Sequence, residues 1–515
     1  MDKNQIKTLQ DLIRNADECH GDAVFIKEKD GKEVVETTFS QFFENSRRVA
    51  SFLAEKLDGK KVHSAIIGLT CSQYLTAYFG TVLNGNVAVP LDAQLSAEDI
   101  IDLMNRADVN VFFFDKRYEP MLPAIKDNCP AIELFVSLQP CESANTNIAE
   151  VIGSYAAVDL KPVDDSMLAA IVYTSGTTGK AKGVMLTHGN LIDNTMCQDG
   201  ESSVGESLLS VLPIHHCYCF SCDILLSLRY GTTVCVNDSM MRIAQNLKLF
   251  QPSFLLIVPM IAETIYKQIM AAAKAKQLPP AALAQAFFGG RLKGIYSGGA
   301  YLAPELVNGY LELGIPIAQG YGMTECSPRI STAMFNDIST AGDVGRIVNG
   351  CTVKIADGEI VVKSPSVMQG YYNMPAETAE AIDSEGWLHT GDLGYVDENT
   401  NRLFITGRKK NLIILSNGEN VSPEELENKF AMVDIAKELL IYAEDGVITL
   451  EVFPNSDICA DIGEAATKLH AIIDEINNNL PSAKTIRRLR VRETEFDKTT
   501  SKKIRRNQPF KGEII

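Results

Sequence analysis

The chain has 515 residues, 46% hydrophobic and 22% charged, with a formal net charge of −17. That length calls for more than one core, and that charge argues against a nucleic-acid or anionic-membrane partner, which needs a basic surface. A local basic pocket for a phosphate ligand stays open. Twelve cysteines are too sparse for a disulfide scaffold and read as reduced thiols in cores.

The N-terminal stretch MDKNQIKTLQDL has no apolar signal core. The most apolar runs, such as FLLIVPMIA from Phe254, fall short of the roughly 20 residues that span a bilayer. A cytoplasmic protein with no membrane span is expected.

Taken in chain order, HSAIIGLT, GNVAVPLD and NVFFFD are the first strand-like runs. From Met167 to Gly322 apolar runs alternate with helix-period segments. LAAIVYT, LLSVLPI, GTTVCV and FLLIVP read as strands, MIAETIYKQIMAAAKAK as a helix, and IPIAQGYG as a further apolar run ending in glycines. This alternation predicts βαβ units around a largely parallel sheet. In VKIADGEIVVKS, Asp357-Gly358 between two β-rich runs predicts a hairpin. Farther on, Ser422 is a predicted helix cap, Pro423 fits the first helical position and Glu425 completes a capping box. A strand pair, the helix EAATKLHAIIDEINNNL, another strand and a basic tail follow. The change of pattern places a domain boundary near Gly407–Lys410, dividing the chain into 1–407 and 408–515. No low-complexity tract or solenoid period is present.

YTSGTTGKAKG, Tyr173–Gly183, is the first stretch with chemistry in it. Its glycines let backbone N–H groups approach an anion, the hydroxyls of Thr174, Ser175, Thr177 and Thr178 add donors, and Lys180 and Lys182 add charge. A strand before it and a helix after it, HGNLIDNTM, predict a phosphate-loop context. It is not a Walker A loop, because GTTGKAK has too few residues between its glycines and has Ala181 where Ser/Thr would bind magnesium. The run HHCYCFSC, His215–Cys222, raises a metal or redox reading. Its spacing lacks a second Cys/His pair, so the cysteines read instead as small apolar fillers.

Four further stretches follow in order: QGYGMTE (Gln319–Glu325), GWLHTGDLG (Gly386–Gly394), GRKKNLIILSNGENVSPEELE (Gly407–Glu427) and KTTSKKIRR (Lys498–Arg506). With the Gly-rich loop, they resemble the adenylate-forming superfamily of acyl-CoA synthetases, adenylation domains and luciferases, from about Met167 to Arg506. The resemblance implies an α/β fold: a large multi-subdomain N-terminal region with βαβ sheets and a small β-barrel-like part, plus a small α+β C-terminal lid. It implies chemistry in two halves. A carboxylate attacks the α-phosphate of Mg·ATP, giving an acyl-adenylate and pyrophosphate; a thiol of CoA or of a carrier-protein pantetheine then displaces AMP.

Carried onto this chain, the resemblance implies that Thr174, Ser175, Gly176, Thr177, Thr178, Gly179, Lys180 and Lys182 hold the β- and γ-phosphates. Thr324 donates to the α-phosphate and Glu325 ligates magnesium, since a carboxylate facing a triphosphate is repulsive without a cation between them. Tyr321 stacks on adenine, Gly299 and Ala300 line the purine slot, and Asp392 and Arg408 hold the ribose. Lys503 stabilises the adenylation transition state, Lys410 is the hinge, Gly418 faces the thiol tunnel, and His216 lies between acid pocket and tunnel. One departure stands out: Lys502 occupies the position before Lys503, where the family usually has glycine.

The acid pocket is expected from His216–Asp223, Ser297–Tyr301 and Gln319–Arg329. Its apolar, cysteine-rich surroundings suit an aliphatic or aromatic acid. Asp223 is a poorly spaced candidate for pairing a substrate amine, and Arg329 is open between a substrate contact and a structural pair. The wording around Gly407–Glu427 is most like that of fatty-acyl-CoA synthetases. The leading expectation is an ATP-dependent carboxylic acid–CoA ligase acting as monomer or homodimer. The alternatives are a stand-alone enzyme loading a carrier protein and a nucleotide-binding regulator without turnover.

Overall fold

The computed structural model describes residues 5–174, 180–200, 202–415, 418–459, 461–498, 504–506, 508 and 512–514. Two large sheets organise most of the chain. One has eight strands, and its inner members His63–Ile67, Val87–Leu91, Val109–Phe114 and Leu168–Thr174 are parallel neighbours. These strands are buried on both faces, which is why they read as unbroken apolar runs rather than alternating ones. Lys182–Thr187 pairs antiparallel to Leu168–Thr174, and Gly370–Tyr371 caps that edge.

The other large sheet has thirteen strands. Val24–Asp30, Thr233–Val236, Ser207–Ser210, Phe254–Ile257, Gly294–Ser297 and Ile317–Gly322 form a parallel run. Beyond Ile317–Gly322 the sheet continues as an antiparallel arm through Arg329–Thr332, Arg346–Ile347, Arg402–Arg408, Leu388–Asp397, Glu359–Lys363 and Thr352–Ala356. This arm is the part expected to be barrel-like. It is an open edge: Thr352–Ala356 pairs on one side only, so no closed barrel forms among the described residues. The Asp357-Gly358 hairpin is present, with both residues at positive φ (51° and 79°), the conformation a two-residue turn needs.

A smaller sheet joins Ala436–Glu444, Val447–Pro454, Arg488–Val491 and Glu513–Ile514, with the helix Ile462–Asn478 packed on it. Its core, including Leu426, Ile441, Leu450, Leu469 and Leu489, is distinct from the two larger ones. Ser422 caps the helix Pro423–Glu427 by accepting from the Glu425 N–H, as its sequence predicts. The capping box does not close, because the Glu425 carboxylate turns to Lys484 at 2.8 Å. No described helix is long and apolar enough to cross a membrane.

Candidate active site

The parallel run of the thirteen-stranded sheet ends at Ser210, Ile257, Ser297 and Gly322, and the turns beyond those ends carry His216, Gly299, Ala300, Thr324 and Glu325. Ligands of open α/β sheets gather beyond such carboxyl ends. After Ser297, Gly299 turns the chain at φ 81°, and both Gly299 and Ala300 are exposed. A Cβ on Gly299 would meet only Val258, at 3.8 Å. Backbone conformation, rather than space, requires glycine there.

After Gly322 the chain makes a short 3₁₀ turn, Thr324–Cys326. Gly322 passes so close to the returning strand that an added Cβ would lie 1.9 Å from the Pro328 carbonyl oxygen. Thr324 is half-buried and Glu325 is buried. The Tyr371 hydroxyl donates to Glu325 Oε1 at 2.9 Å, and the Met368 N–H donates to the Glu325 carbonyl at 2.9 Å. Tyr371 carried no signal in the sequence reading, since only the fold brings Gly370–Tyr371 beside Glu325.

The Gly-rich loop differs from its predicted context. Thr174 and Lys182 are cross-strand partners, so the loop joins two antiparallel strands rather than a strand and a helix. The expected helix, His188–Met196, begins only after the second strand, where Thr187 and Asn190 form a capping box that satisfies its first N–H groups. That helix therefore does not start at the loop, and the loop's described charge comes from Lys180 and Lys182. Lys180 is exposed, and Lys182 Nζ lies 4.7 Å from the Tyr371 ring centroid. Ser175, Gly176, Thr177, Thr178 and Gly179 lie outside the described residues, as do Lys502 and Lys503.

Asp392 sits on the antiparallel arm, 4% exposed. Arg408 Nε lies 2.7 Å from its Oδ1, and the Tyr321 hydroxyl donates to Oδ2 at 2.7 Å. Burial and the adjacent Asp392 push the Tyr321 hydroxyl well above its ordinary range, so it stays a donor. The strand just before Asp392 is tied down by Glu359, which accepts from the Gly391 N–H at 2.9 Å and pairs with Lys409 at 2.9 Å. Lys410 follows in a 3₁₀ turn, Lys409–Asn411, and is exposed. Burial and the Arg408 charge lower its pKa. Gly418 is exposed at φ 82° with nothing within 4 Å of an added Cβ.

Of the adjacent histidines, His216 is exposed and His215 is buried, their rings 4.2 Å apart. Burial, then the neighbouring His216, pushes His215 down to about 3. Cys217, Cys219 and Cys222 are buried on the helical stretch that follows, which contains a π-helical turn at Phe220–Leu225. Burial pushes the Cys217 and Cys222 thiols up to about 12. Such thiols are neutral, unlike the thiolates that bind metals. Among the described residues no three His, Cys, Asp or Glu side chains group as metal ligands would.

Asp223 is fully buried; Ser210 Oγ donates to its Oδ2 at 2.6 Å, and its Oδ1 has no partner among the described residues. Arg329 is half-buried against the helix His188–Met196, where its backbone N–H and Nε point to Asn194 Oδ1 at 3.2 and 3.4 Å. Its place is a structural one between turn and helix.

Magnesium suits the residues present. It takes oxygen ligands, commonly one or two carboxylates completed by phosphate oxygens and water. Glu325 is a buried carboxylate oriented by the Tyr371 hydroxyl, on the turn that follows Gly322.

Residues 13–372 match the family model described as AMP-binding enzyme. Among curated proteins, the chain is 28% identical over 486 residues to a long-chain-fatty-acid–CoA ligase of Rattus norvegicus, covering 82% of this chain and 72% of that protein. It is 27% identical over 503 residues to the long-chain-fatty-acid–CoA ligase FadD15 of Mycobacterium bovis, covering 84% and 83%. Among solved structures, the o-succinylbenzoate CoA synthetase of Bacillus subtilis with its acyl-adenylate superposes with a TM-score of 0.79 at 24% identity, covering 98% of this chain and 99% of that one. A fatty acyl CoA synthetase of Mycobacterium tuberculosis gives 0.72 at 22% identity, covering 97% of each.

Proposed function

The chain belongs to the AMP-binding enzyme family, within the adenylate-forming superfamily, and from that premise we propose that it is an ATP-dependent carboxylic acid–CoA ligase. The observation that carries this reading is that Tyr371 joins the Thr174/Lys182 hairpin to Glu325, on the turn just beyond Tyr321, whose hydroxyl meets the Asp392–Arg408 pair.

In this reading Lys180 and Lys182, with Thr174, Ser175, Gly176, Thr177, Thr178 and Gly179, offset the β- and γ-phosphate charge. Asp392 accepts from the ribose hydroxyls. Tyr321 is fixed by its hydrogen bond to Asp392 so that its ring faces the base, beside Gly299 and Ala300. Thr324 donates to the α-phosphate. Magnesium, held by Glu325, supplies charge neutralisation to the triphosphate when bound. Lys503 brings an ammonium to the α-phosphate, where charge grows as the carboxylate attacks.

The large region is assigned to residues 1–407 and the lid to 408–515. The separate small core, which starts at Ile413, supports that division. Lys410 is then the pivot, Gly418 the residue presented to the thiol, and exposed His216 the junction between acid and thiol. The apolar lining from Cys217 to Ile224 and the fatty-acid ligases among the relatives favour an aliphatic acid.

The test is a panel of carboxylic acids with ATP and magnesium, reading pyrophosphate and AMP, with CoA or a carrier protein as acceptor. Acid-dependent AMP release with CoA is expected. Release driven only by the carrier would overturn the CoA assignment, and no ATP cleavage with any acid would overturn the reading as a whole.

A further inference from the structure

Tyr371 stands between a cation and a carboxylate. Its hydroxyl donates to Glu325 Oε1 at 2.9 Å, and Lys182 Nζ lies 4.7 Å from its ring centroid. Its backbone is pinned to the hairpin that carries Lys182. Tyr371 pairs across from Val184, and the flanking residues donate through Gln369 N–H to the Met185 carbonyl at 3.0 Å and Tyr372 N–H to the Gly183 carbonyl at 2.8 Å. The Met368 N–H reaches the Glu325 carbonyl from the same strap. One short segment therefore ties the lysine hairpin of one sheet to the carboxylate turn of the other.

A lysine and a carboxylate that close on each other as an ion pair would offer a triphosphate neither a free cation nor a free metal ligand. A phenol satisfies both more weakly, with its hydroxyl on the carboxylate and its ring face toward the ammonium.

We propose that Tyr371 is a positioning residue: its hydroxyl orients the Glu325 carboxylate for the divalent cation, and its ring face holds the Lys182 ammonium toward phosphate oxygens. The inference rests on the ATP-binding reading above and adds a residue to it.

The experiment is calorimetric binding of ATP, first in EDTA and then across a magnesium titration, with the full chain and no acid present. Tyr371→Phe keeps the ring and deletes the donor. The magnesium midpoint for tight ATP binding should rise about tenfold, the scale of one lost hydrogen bond to a charged group, while ATP affinity in EDTA stays at the wild-type value. Glu325→Gln should shift the midpoint similarly, and adding Tyr371→Phe to it should shift it no further. A wild-type magnesium midpoint in Tyr371→Phe, or an equal loss of binding with and without magnesium, would overturn the positioning role while leaving the ligase reading intact. Wild-type protein that binds no ATP in either condition would overturn the ligase reading and this inference together.

Discussion

Arg408 and Asp392 are cross-strand partners, joined by a 2.7 Å contact between Nε and Oδ1, and Asp392 spends its other oxygen on the Tyr321 hydroxyl. The carboxylate is therefore oriented before any nucleotide arrives. A carboxylate has about four lone-pair sites, so two ribose hydroxyls still find acceptors without displacing either protein donor.

Asp392→Asn keeps the shape and removes the charge. AMP and ATP affinity should fall about tenfold or more, since charge-assisted hydrogen bonds are roughly twice as strong as neutral ones. Stability should change by only about 1 kcal/mol, because the Arg408 side chain is 45% exposed and solvent screens the pair. Calorimetric binding and a thermal melt measure the two effects. Undiminished AMP affinity would remove Asp392 from the ribose site.

Magnesium removal should abolish acid-dependent AMP formation, and Glu325→Gln should lower its rate by about a hundredfold even at high magnesium, the typical scale for loss of one charge-stabilising group. Steady-state assays across a magnesium titration check this. A variant with full activity and the wild-type magnesium requirement would show that Glu325 is not the ligand.

Lys503→Ala should lower acyl-adenylate formation by about a hundredfold or more, yet leave thioester formation from a supplied acyl-adenylate close to wild type. Comparing pyrophosphate release with thioester yield separates the halves. Equal loss of both steps would contradict the assigned role, and the Lys502→Ala variant identifies which of the two adjacent lysines acts.

Burial pushes Asp223 up to about 7 from 3.8. An acid raised on folding binds a proton in the native state that the unfolded chain has already released. Stability therefore falls as pH rises from about 4 to about 7 and is flat above that. At about 1.4 kcal/mol per unit, the full effect is of order 4 kcal/mol. Asp223→Asn should flatten this limb and raise the melting temperature at pH 8 more than at pH 5. Equal shifts at both pH values would mean that the carboxyl does not titrate on unfolding.

His188 has the opposite sign. It is fully buried, its Nδ1 accepts from the Leu9 N–H at 3.3 Å, and burial holds it down at about 4. Below about pH 6.5 the unfolded chain takes a proton that the native state refuses, so stability falls with pH down to about 4. His188→Gln should flatten that acid limb in denaturant titrations at pH 4.5 and 7. The windows of Asp223 and His188 overlap and their slopes oppose, so the single variants reveal what the wild-type curve partly conceals.

The strands were largely legible. Residues 168–174, 233–236 and 254–257 are apolar runs, and each is a strand of a large sheet. Burial on both faces imposes such runs whatever the neighbours are. LLSVLPI was legible only in part: its strand stops at Ser210 because the chain turns away there toward His215. Lys182–Thr187 was not legible as a strand, since six mixed residues beside a glycine loop look like the approach to a helix. Pairing with Leu168–Thr174 decides it.

By itself, the sequence determined the order of its motifs, the Asp357-Gly358 turn and the Ser422 cap, because each depends on neighbours only a few residues away. Tertiary structure alone decided that Tyr371 reaches both Lys182 and Glu325, that Arg329 serves a helix, and that His215 rather than His216 is buried. These contacts join residues distant along the chain or depend on which side of a turn faces the core. Local composition carries no information about either until the sheets have packed.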